Sequence, residues 1–310
     1  MISLIIPTLN GGELFRRVLE KISQQRLQEE FELLVFDSSS TDNTVAVARS
    51  YGAEVVSVLK KDFDHGGTRS MAAAKASGDI LIFMTQDAVP TGPDVLAALI
   101  TPFKIDRSVV VTYGRQLPAE KATIAAAHLR LYNYPDVSSK RSIKDKEKYG
   151  LKTVFISNSF AAYRKAELAE CGYFQNGLIF GEDTCAVGRL LRHGYCISYV
   201  AEATIYHSHN YSFVEEFKRY FDIGVLHTAE NWLLQEYGTA EGQGLGYMQS
   251  AFSYYLANNG WYHIPDLIIR CGMKYCGYRL GRNFKKIPKQ LRPRLSMHQH
   301  WWSKANNRIG

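Results

Sequence analysis

The chain has 310 residues, 46% of them hydrophobic and 22% charged, a composition that excludes a disordered or fibrous protein and suffices for one large α/β domain with an appendage, or for two small domains. Its net charge of +7 is uneven: residues 270–310 carry eleven Lys/Arg and no Asp or Glu, which leaves about −4 for residues 1–269. Five scattered cysteines, Cys171, Cys185, Cys196, Cys271 and Cys276, lack CxxC or Cys/His spacing, which argues against a disulfide framework or structural zinc site and fits a reducing cytoplasm. Met1 to Pro7 lack the basic start and apolar length of a signal peptide, and no run of about 18 apolar residues follows, so no membrane span is expected.

The chain opens on an apolar run, Ile2 to Ile6, followed by Pro7-Thr8-Leu9-Asn10-Gly11-Gly12, which reads as a buried strand ending in a loop. A helix over about 13–25 follows, and the alternation repeats: strand 31–36, loop 37–42, helix 43–51, strand 53–58, loop 60–66, helix 67–77 and strand 80–84. Strands alternating with helices imply right-handed crossovers and a largely parallel sheet, whose ligands bind in the crevice beyond the carboxyl ends of the strands. Pro93 at a first helical position opens a helix over about 93–104, and Ser108 to Tyr113 return as a strand. The charged stretch Lys140 to Lys148 reads as an exposed, mobile loop. Ala186, Val187, Leu190 and Leu191 share one face of a helix over 182–193, which Gly194 stops. Beyond residue 212 the pattern is helical and rich in aromatics.

Three strand ends carry acids or small polar residues: Pro7-Thr8, the run Asp37-Ser38-Ser39-Ser40-Thr41-Asp42, and Thr85-Gln86-Asp87-Ala88. Converging in space, they form a polar crevice able to hold a nucleotide. An ionised carboxylate only accepts hydrogen bonds, so Asp37 suits the donors of a base or ribose, whereas Asp42, next to the following helix, reads as its cap. Gly66 and Gly67 permit close backbone approach to a phosphate and Arg69 offers it a bidentate fork, although a plain loop explains a lone Gly-Gly as well. Glu182 and Asp183 lie in the first turn of a helix, where acids also stabilise the dipole by roughly 0.3–1 kcal/mol. His207 and His209, alternate residues on an extended chain, point the same way. No GxGxxG follows the first strand, which argues against a dinucleotide-dependent oxidoreductase.

In order along residues 2–212, the stretches Pro7-Thr8-Leu9-Asn10, Asp37-Ser38-Ser39-Ser40-Thr41-Asp42-Asn43-Thr44, Asp62-Phe63-Asp64-His65-Gly66-Gly67-Thr68-Arg69, Thr85-Gln86-Asp87-Ala88, Gly181-Glu182-Asp183 and His207-Ser208-His209 resemble the inverting family 2 nucleotide-sugar glycosyltransferases, and within them the bacterial rhamnosyltransferases. The resemblance implies an α/β GT-A fold, a Rossmann-like, mostly parallel sheet flanked by helices, over residues 1–212, followed by a helical region over 213–310. It places a nucleotide sugar against Pro7, Thr8, Asn10, Asp37, Ser39, Asp64, His65, Gly66, Arg69, Gln86 and Asp87. It makes Asp183 the catalytic base, with Glu182 as a neighbouring support. A divalent metal, Mg2+ or Mn2+, is expected on Asp87 with His207, the favoured histidine, or His209. Because Thr85 fills the first acidic position of the family's DxD element, a single strand-end carboxylate remains, and the ion is expected to be held weakly or mostly by the diphosphate itself. The implied reaction takes L-rhamnose from dTDP-β-L-rhamnose to a lipid-linked glycan at the cytoplasmic face of the inner membrane; a UDP-hexose or UDP-N-acetylhexosamine donor is the alternative within the class.

Trp232, Tyr254, Tyr255, Trp261, Tyr262, Tyr275 and Tyr278 accompany the basic tail. Aromatics beside Lys/Arg suit an anionic headgroup layer, which attracts each basic side chain by about 1 kcal/mol. Residues 213–260 are therefore expected as a helical cap on the sheet, and residues 262–304 as a peripheral membrane contact with Trp301 and Trp302 inserting. Nucleic acid is not an expected partner. The non-catalytic rival is a basic-tailed adaptor built on an inactive domain.

Overall fold

The computed structural model describes residues 1–239 and 243–305. Its first half alternates as expected: β1 (Ile2–Thr8), α1 (Gly12–Ser23), β2 (Phe31–Asp37), α2 (Thr44–Ser50), β3 (Glu54–Ser57), α3 (His65–Lys75) and β4 (Ile80–Met84). These strands lie side by side in the order β3-β2-β1-β4, all parallel. Alternate residues of β1 face opposite layers. Leu4 and Ile6 share a buried cluster with Phe15 and Leu19 of α1, while Ile5 belongs to the other, with Ala72 of α3 and Phe83 of β4. A strand covered on both faces reads as a continuous apolar run, which is why β1 was legible.

The chain continues through β5 (Val89–Pro90), α4 (Val95–Ile105), β6 (Val109–Leu117), α5 (Ile124–Asn133), β7 (Ser139–Arg141), α6 (Lys146–Tyr149), β8 (Phe160–Arg164), α7 (Lys165–Glu170), α8 (Glu182–Arg192) and β9 (Cys196–Tyr206). The sheet here is mixed: β8 runs antiparallel between β4 and β6, β9 is parallel to β6, and β5 and β7 pair antiparallel with β9. The expected parallel character therefore holds for the first four strands and for the β6-β9 pair, with antiparallel β8 between the two. Pro93 precedes α4 instead of opening it, since Asp94 is the cap.

The stretch expected as an exposed, mobile loop over 140–148 instead forms the end of β7, a 3-10 turn over Ile143–Asp145 and α6. Arg141 is buried there, donating to the Tyr113 hydroxyl and to the carbonyls of Lys152 and Phe155. A guanidinium with three acceptors tolerates burial that its charge would otherwise oppose.

The C-terminal region comprises α9 (Phe213–Ala229), α10 (Asn231–Tyr237), α11 (Gln243–Ala257), α12 (Ile264–Arg282) and α13 (Gln299–Ala305). Ser212 caps α9 through a reciprocal box with Glu215. α9 and α12 cross at backbone contact: a Cβ at Gly281 would lie 2.0 Å from the Phe221 carbonyl oxygen, and one at Gly277 2.3 Å from that of Phe217. Buried Glu216 on α9 joins Arg270 of α12 at 3.0 Å across this crossing. The expected insertion of Trp301 and Trp302 into a membrane is contradicted: Trp302 is 1% exposed against Phe221 and Phe284, and Trp301 Nε1 donates to the Gly177 carbonyl at 2.9 Å. The two indoles bury area against the protein itself. Arg308, counted in the basic tail, lies outside the described residues.

Candidate active site

The loops after β1, β2 and β4 are cross-linked at one edge of the sheet. Thr8 Oγ1 donates to Asp37 Oδ1 at 3.0 Å, and Ser40 N donates to Asp37 Oδ2 at 2.9 Å. Asn10, in the left-handed region at φ 48, accepts from Thr41 N through Oδ1, and its own N–H donates to Ser40 Oγ. Gln86 grips the first loop from β4, accepting from Leu9 N at 2.9 Å and donating to Leu9 O at 3.1 Å. Ser39, at φ 67, donates to Val58 O and accepts from Lys60 N. Pro7 lies within β1 opposite Phe36. Asp42 accepts from Thr44 N, Thr44 Oγ1 and Gly12 N, so it holds the start of α2 from one residue outside the cap, which is Asn43 and not Asp42 as expected.

Residues 64–69 are brought to the acidic pair. Asp64 caps α3, accepting from Gly67 N at 2.7 Å, and its other oxygen accepts from Gly177 N at 3.1 Å. A Cβ at Gly66 would stand 1.9 Å from the Gln175 carbonyl oxygen, so this glycine is demanded by protein packing and not by phosphate approach. Arg69 is likewise committed within the protein: it is buried, and its Nη1 lies 3.0 Å from Glu182 Oε1. His65 packs edge-on against Phe63 and His298, at 5.1 and 5.4 Å. Burial lowers the basicity of His65, against the pull of the neighbouring Glu182 carboxylate.

The two acids at the start of α8 have unlike surroundings. Glu182 is buried, accepts from Asn158 Nδ2 at 3.3 Å and pairs with Arg69. Burial opposes its ionisation, but Arg69 and His65 outweigh that and hold its pKa below the usual range. Asp183 is partly exposed and has no ion pair among the described residues; its oxygens accept from Asn158 N at 3.0 Å and Thr184 N at 2.7 Å. Desolvation, and then the Glu182 charge beside it, push its pKa up to about 6. Asn158 ties this helix start to β4, because the next residue, Ser159, accepts from Thr85 N at 3.3 Å. The segment that holds Asp183 is thereby joined to Thr85, two residues before Asp87.

Asp87, His207 and His209 form a second group, each offering one ligand atom, all within 4.8 Å of one another. His207 Nε2 is 3.5 Å from Asp87 Oδ1 and His209 Nε2 is 4.0 Å from Asp87 Oδ2. Burial opposes ionisation of Asp87, but the His207 hydrogen bond and charge, with Thr85 and His209, hold its pKa well below the carboxylate range. Burial and His207 depress the His209 imidazole to about 4. A carboxylate oxygen and two imidazole nitrogens are a sound donor set for a divalent transition ion.

Gln116, absent from the sequence reading, orients this group. Arg130 Nη1 donates to Gln116 Oε1 at 2.5 Å, and the same oxygen lies 2.9 Å from His207 Nδ1. A guanidinium cannot accept, so Gln116 must present oxygen, and His207 Nδ1 must then carry a proton and donate it. Nε2 is thereby the nitrogen aimed at Asp87 and at any ion beside it. The strand register delivers Gln116: it pairs with Ile205, and His207 N donates to Leu117 O at 3.0 Å. A lone glutamine at the end of an apolar strand gave no warning, though its place on the His207 side of β6 follows once β6 and β9 are paired.

The family model described as Glycosyl transferase family 2 matches residues 3–172. This chain belongs to glycosyl transferase family 2. The family 2 enzyme is 39% identical over 304 residues to the O-antigen chain rhamnosyltransferase RfbN of Salmonella typhimurium, covering 97% of this chain and 96% of that protein. It is 36% identical to the O-antigen chain rhamnosyltransferase WbaN of Salmonella anatum, covering 97% of this chain and 95% of the other. The mannosyltransferase PcManGT of Pyrobaculum calidifontis, solved with GDP-Man and Mn2+, shares the fold with a TM-score of 0.58 at 16% identity, covering 99% of this chain and 86% of that one. The GT-A architecture of this glycosyltransferase, with its helical C-terminal region, agrees with the expectation drawn from the motifs.

Proposed function

We propose that this glycosyltransferase moves L-rhamnose from dTDP-β-L-rhamnose, with inversion, to a hydroxyl of a lipid-linked polysaccharide precursor. The observation that carries the mechanism is the unequal fate of the two acids: Glu182 is neutralised by Arg69, while Asp183 is left without an ion pair among the described residues, partly exposed, with its pKa raised to about 6. A base poised near the working pH is the efficient one. Asp183 takes the acceptor proton as the acceptor oxygen bonds to the anomeric carbon, and the bond from that carbon to the diphosphate breaks on the opposite face. Asp37 and the Asn10 and Ser39 loops supply the nucleoside contacts, with Gln86 holding the loop in place. Asp87, His207 and His209 would hold Mn2+ in preference to Mg2+, because two imidazoles suit a transition ion better than a cation that demands oxygen. Such an ion supplies neutralisation of the departing diphosphate. The rhamnose assignment is supported by the two O-antigen chain rhamnosyltransferases that align along almost the whole chain.

The test is a donor screen with purified enzyme and synthetic lipid-linked acceptors, read by product mass. A deoxyhexose increment with dTDP-rhamnose alone is expected; an increment only with a UDP-sugar refutes the rhamnose assignment.

We also propose that the acceptor is met at the anionic inner face of the cytoplasmic membrane. No helix among the described residues is long and apolar enough to cross a bilayer. Residues 242–265 nevertheless contain no Asp, Glu, Lys or Arg. Leu245, Met248, Phe252 and Leu256 form an exposed stripe along α11, and Trp261 beyond it is 68% exposed. With α12 and the basic segment following it, this makes an apolar face flanked by cations, suited to lying in a headgroup layer. In vesicle co-sedimentation, phosphatidylglycerol vesicles should retain the enzyme and pure phosphatidylcholine should not, and Phe252→Glu with Trp261→Glu should release it at least about tenfold. Equal retention of that variant rules this face out.

A further inference from the structure

Residues 174–181, which lead into α8, form no helix or strand, so contacts with other elements set their course. α3 supplies two of these. Ser70 Oγ donates to Phe174 O at 2.8 Å and accepts from Phe174 N at 3.0 Å, and Asp64 Oδ2 accepts from Gly177 N at 3.1 Å. α9 limits the last residue, because a Cβ at Gly181 would lie 2.5 Å from Leu226 Cδ2. Two further contacts come from the far end of the chain. Trp301 Nε1 donates to Gly177 O at 2.9 Å, and the His298 ring stacks on Phe180 at 5.9 Å, with its neighbour His65 edge-on at 5.4 Å.

We propose that the C-terminal segment 296–302 is a brace for the catalytic base, in which His298 and Trp301 are positioning residues that hold the approach to α8, and so Asp183, in place for transfer; this rests on the reading of Asp183 as the base.

The first argument is the way the segment is anchored. Met297, just before His298, donates its N–H to Asp222 Oδ2 of α9 at 2.9 Å. Trp302, just after Trp301, is buried against Phe221 of α9 and Phe284. The segment is thus tied to the helical region at both ends, and the two residues between those ties that face the other way meet Gly177 and Phe180.

The second argument is what the contacts hold. Gly177 is fixed at both backbone groups, its N–H by Asp64 and its carbonyl by Trp301. Phe180 stands three residues before Asp183. Among the described residues no hydrogen bond reaches the His298 ring nitrogens, so the ring acts on the protein through its faces and edges. A displacement of about 1 Å at the start of α8 would carry the base out of line with the acceptor oxygen, and a shift of that size costs turnover up to about a hundredfold.

Single substitutions test the brace while leaving the Trp302 anchor intact. Turnover is measured with a synthetic lipid-linked acceptor and dTDP-rhamnose, or a UDP-sugar if the wild-type enzyme uses that instead. His298→Ala should lower kcat about ten- to a hundredfold, and so should Trp301→Phe, which keeps a ring against Trp302 and removes only the N–H donor. Calorimetric affinities for dTDP and Mn2+ should stay at wild-type values, and melting should move by no more than a few degrees. His298→Phe restores a ring over Phe180 and should recover most of the lost turnover. Wild-type kcat in both His298→Ala and Trp301→Phe, in an enzyme that Asp183→Asn inactivates, overturns the brace alone. A loss in His298→Phe as deep as in His298→Ala also overturns it, since the ring nitrogens and not the ring contact would then matter. A fall in melting temperature and dTDP affinity alongside kcat makes the segment ordinary core and removes the positioning role. Full turnover by Asp183→Asn overturns the base reading and this proposal with it.

Discussion

Asp183→Asn should lower turnover by roughly 10²–10⁴-fold, the usual contribution of a positioned general base, with donor affinity unchanged. The substitution is close to isosteric. One of the two backbone N–H groups, those of Asn158 and Thr184, loses its acceptor, at a cost of about 1–3 kcal/mol. Relief of the repulsion from Glu182 offsets part of that cost, so the fold should survive and calorimetric melting should move by only a few degrees. The same carboxylate sets the acid limb of the pH profile. Its pKa is raised to about 6, so the basic form is lost as pH falls through 6, and kcat/KM should drop about tenfold per unit below that value. Near-wild-type turnover by Asp183→Asn, with normal donor binding, would return the protein to the class of inactive adaptors.

Metal loss should have the second largest effect. Chelation with EDTA should abolish transfer and Mn2+ should restore it. Asp87→Ala removes the carboxylate of the Asp87, His207 and His209 group, and should raise the Mn2+ dissociation constant beyond the 10–100-fold typical of losing an outer-shell partner. Gln116→Leu, which frees the His207 ring to rotate, should fall within that range. Free Mn2+ measured by electron paramagnetic resonance reads both without any sugar transfer. Unchanged Mn2+ affinity in Asp87→Ala would remove the ion from this position, and equal effects of the two variants would remove the distinction between ligand and orienting residue.

The pairing of Glu182 with Arg69 shows what a linear reading omits. Both residues were singled out, one as support for a base and one as a phosphate fork, and no spacing rule joins residues 113 positions apart. Only the packing of α3 against the start of α8, with Gly66 pressed on Gln175, brings them together. That contact decides which of two adjacent acids is neutralised and leaves Asp183 without an ion pair among the described residues. Trp302 carries the same lesson: an aromatic pair in a basic tail is compatible with lipid or with a core, and Phe221 and Phe284 make it core.

By itself the sequence determined the alternating strands and helices from β1 to β4, the amphipathic helix behind Glu182-Asp183 and the family, because periodicity and strand-end chemistry are local and survive any arrangement of the rest. The tertiary structure alone decided that β8 is inserted antiparallel, that Gln116 and Arg130 set the His207 tautomer, and that residues 140–148 fold. The physical reason is that burial, charge pairing and ring orientation depend on groups distant in the chain, whose meeting is set by strand order and helix packing.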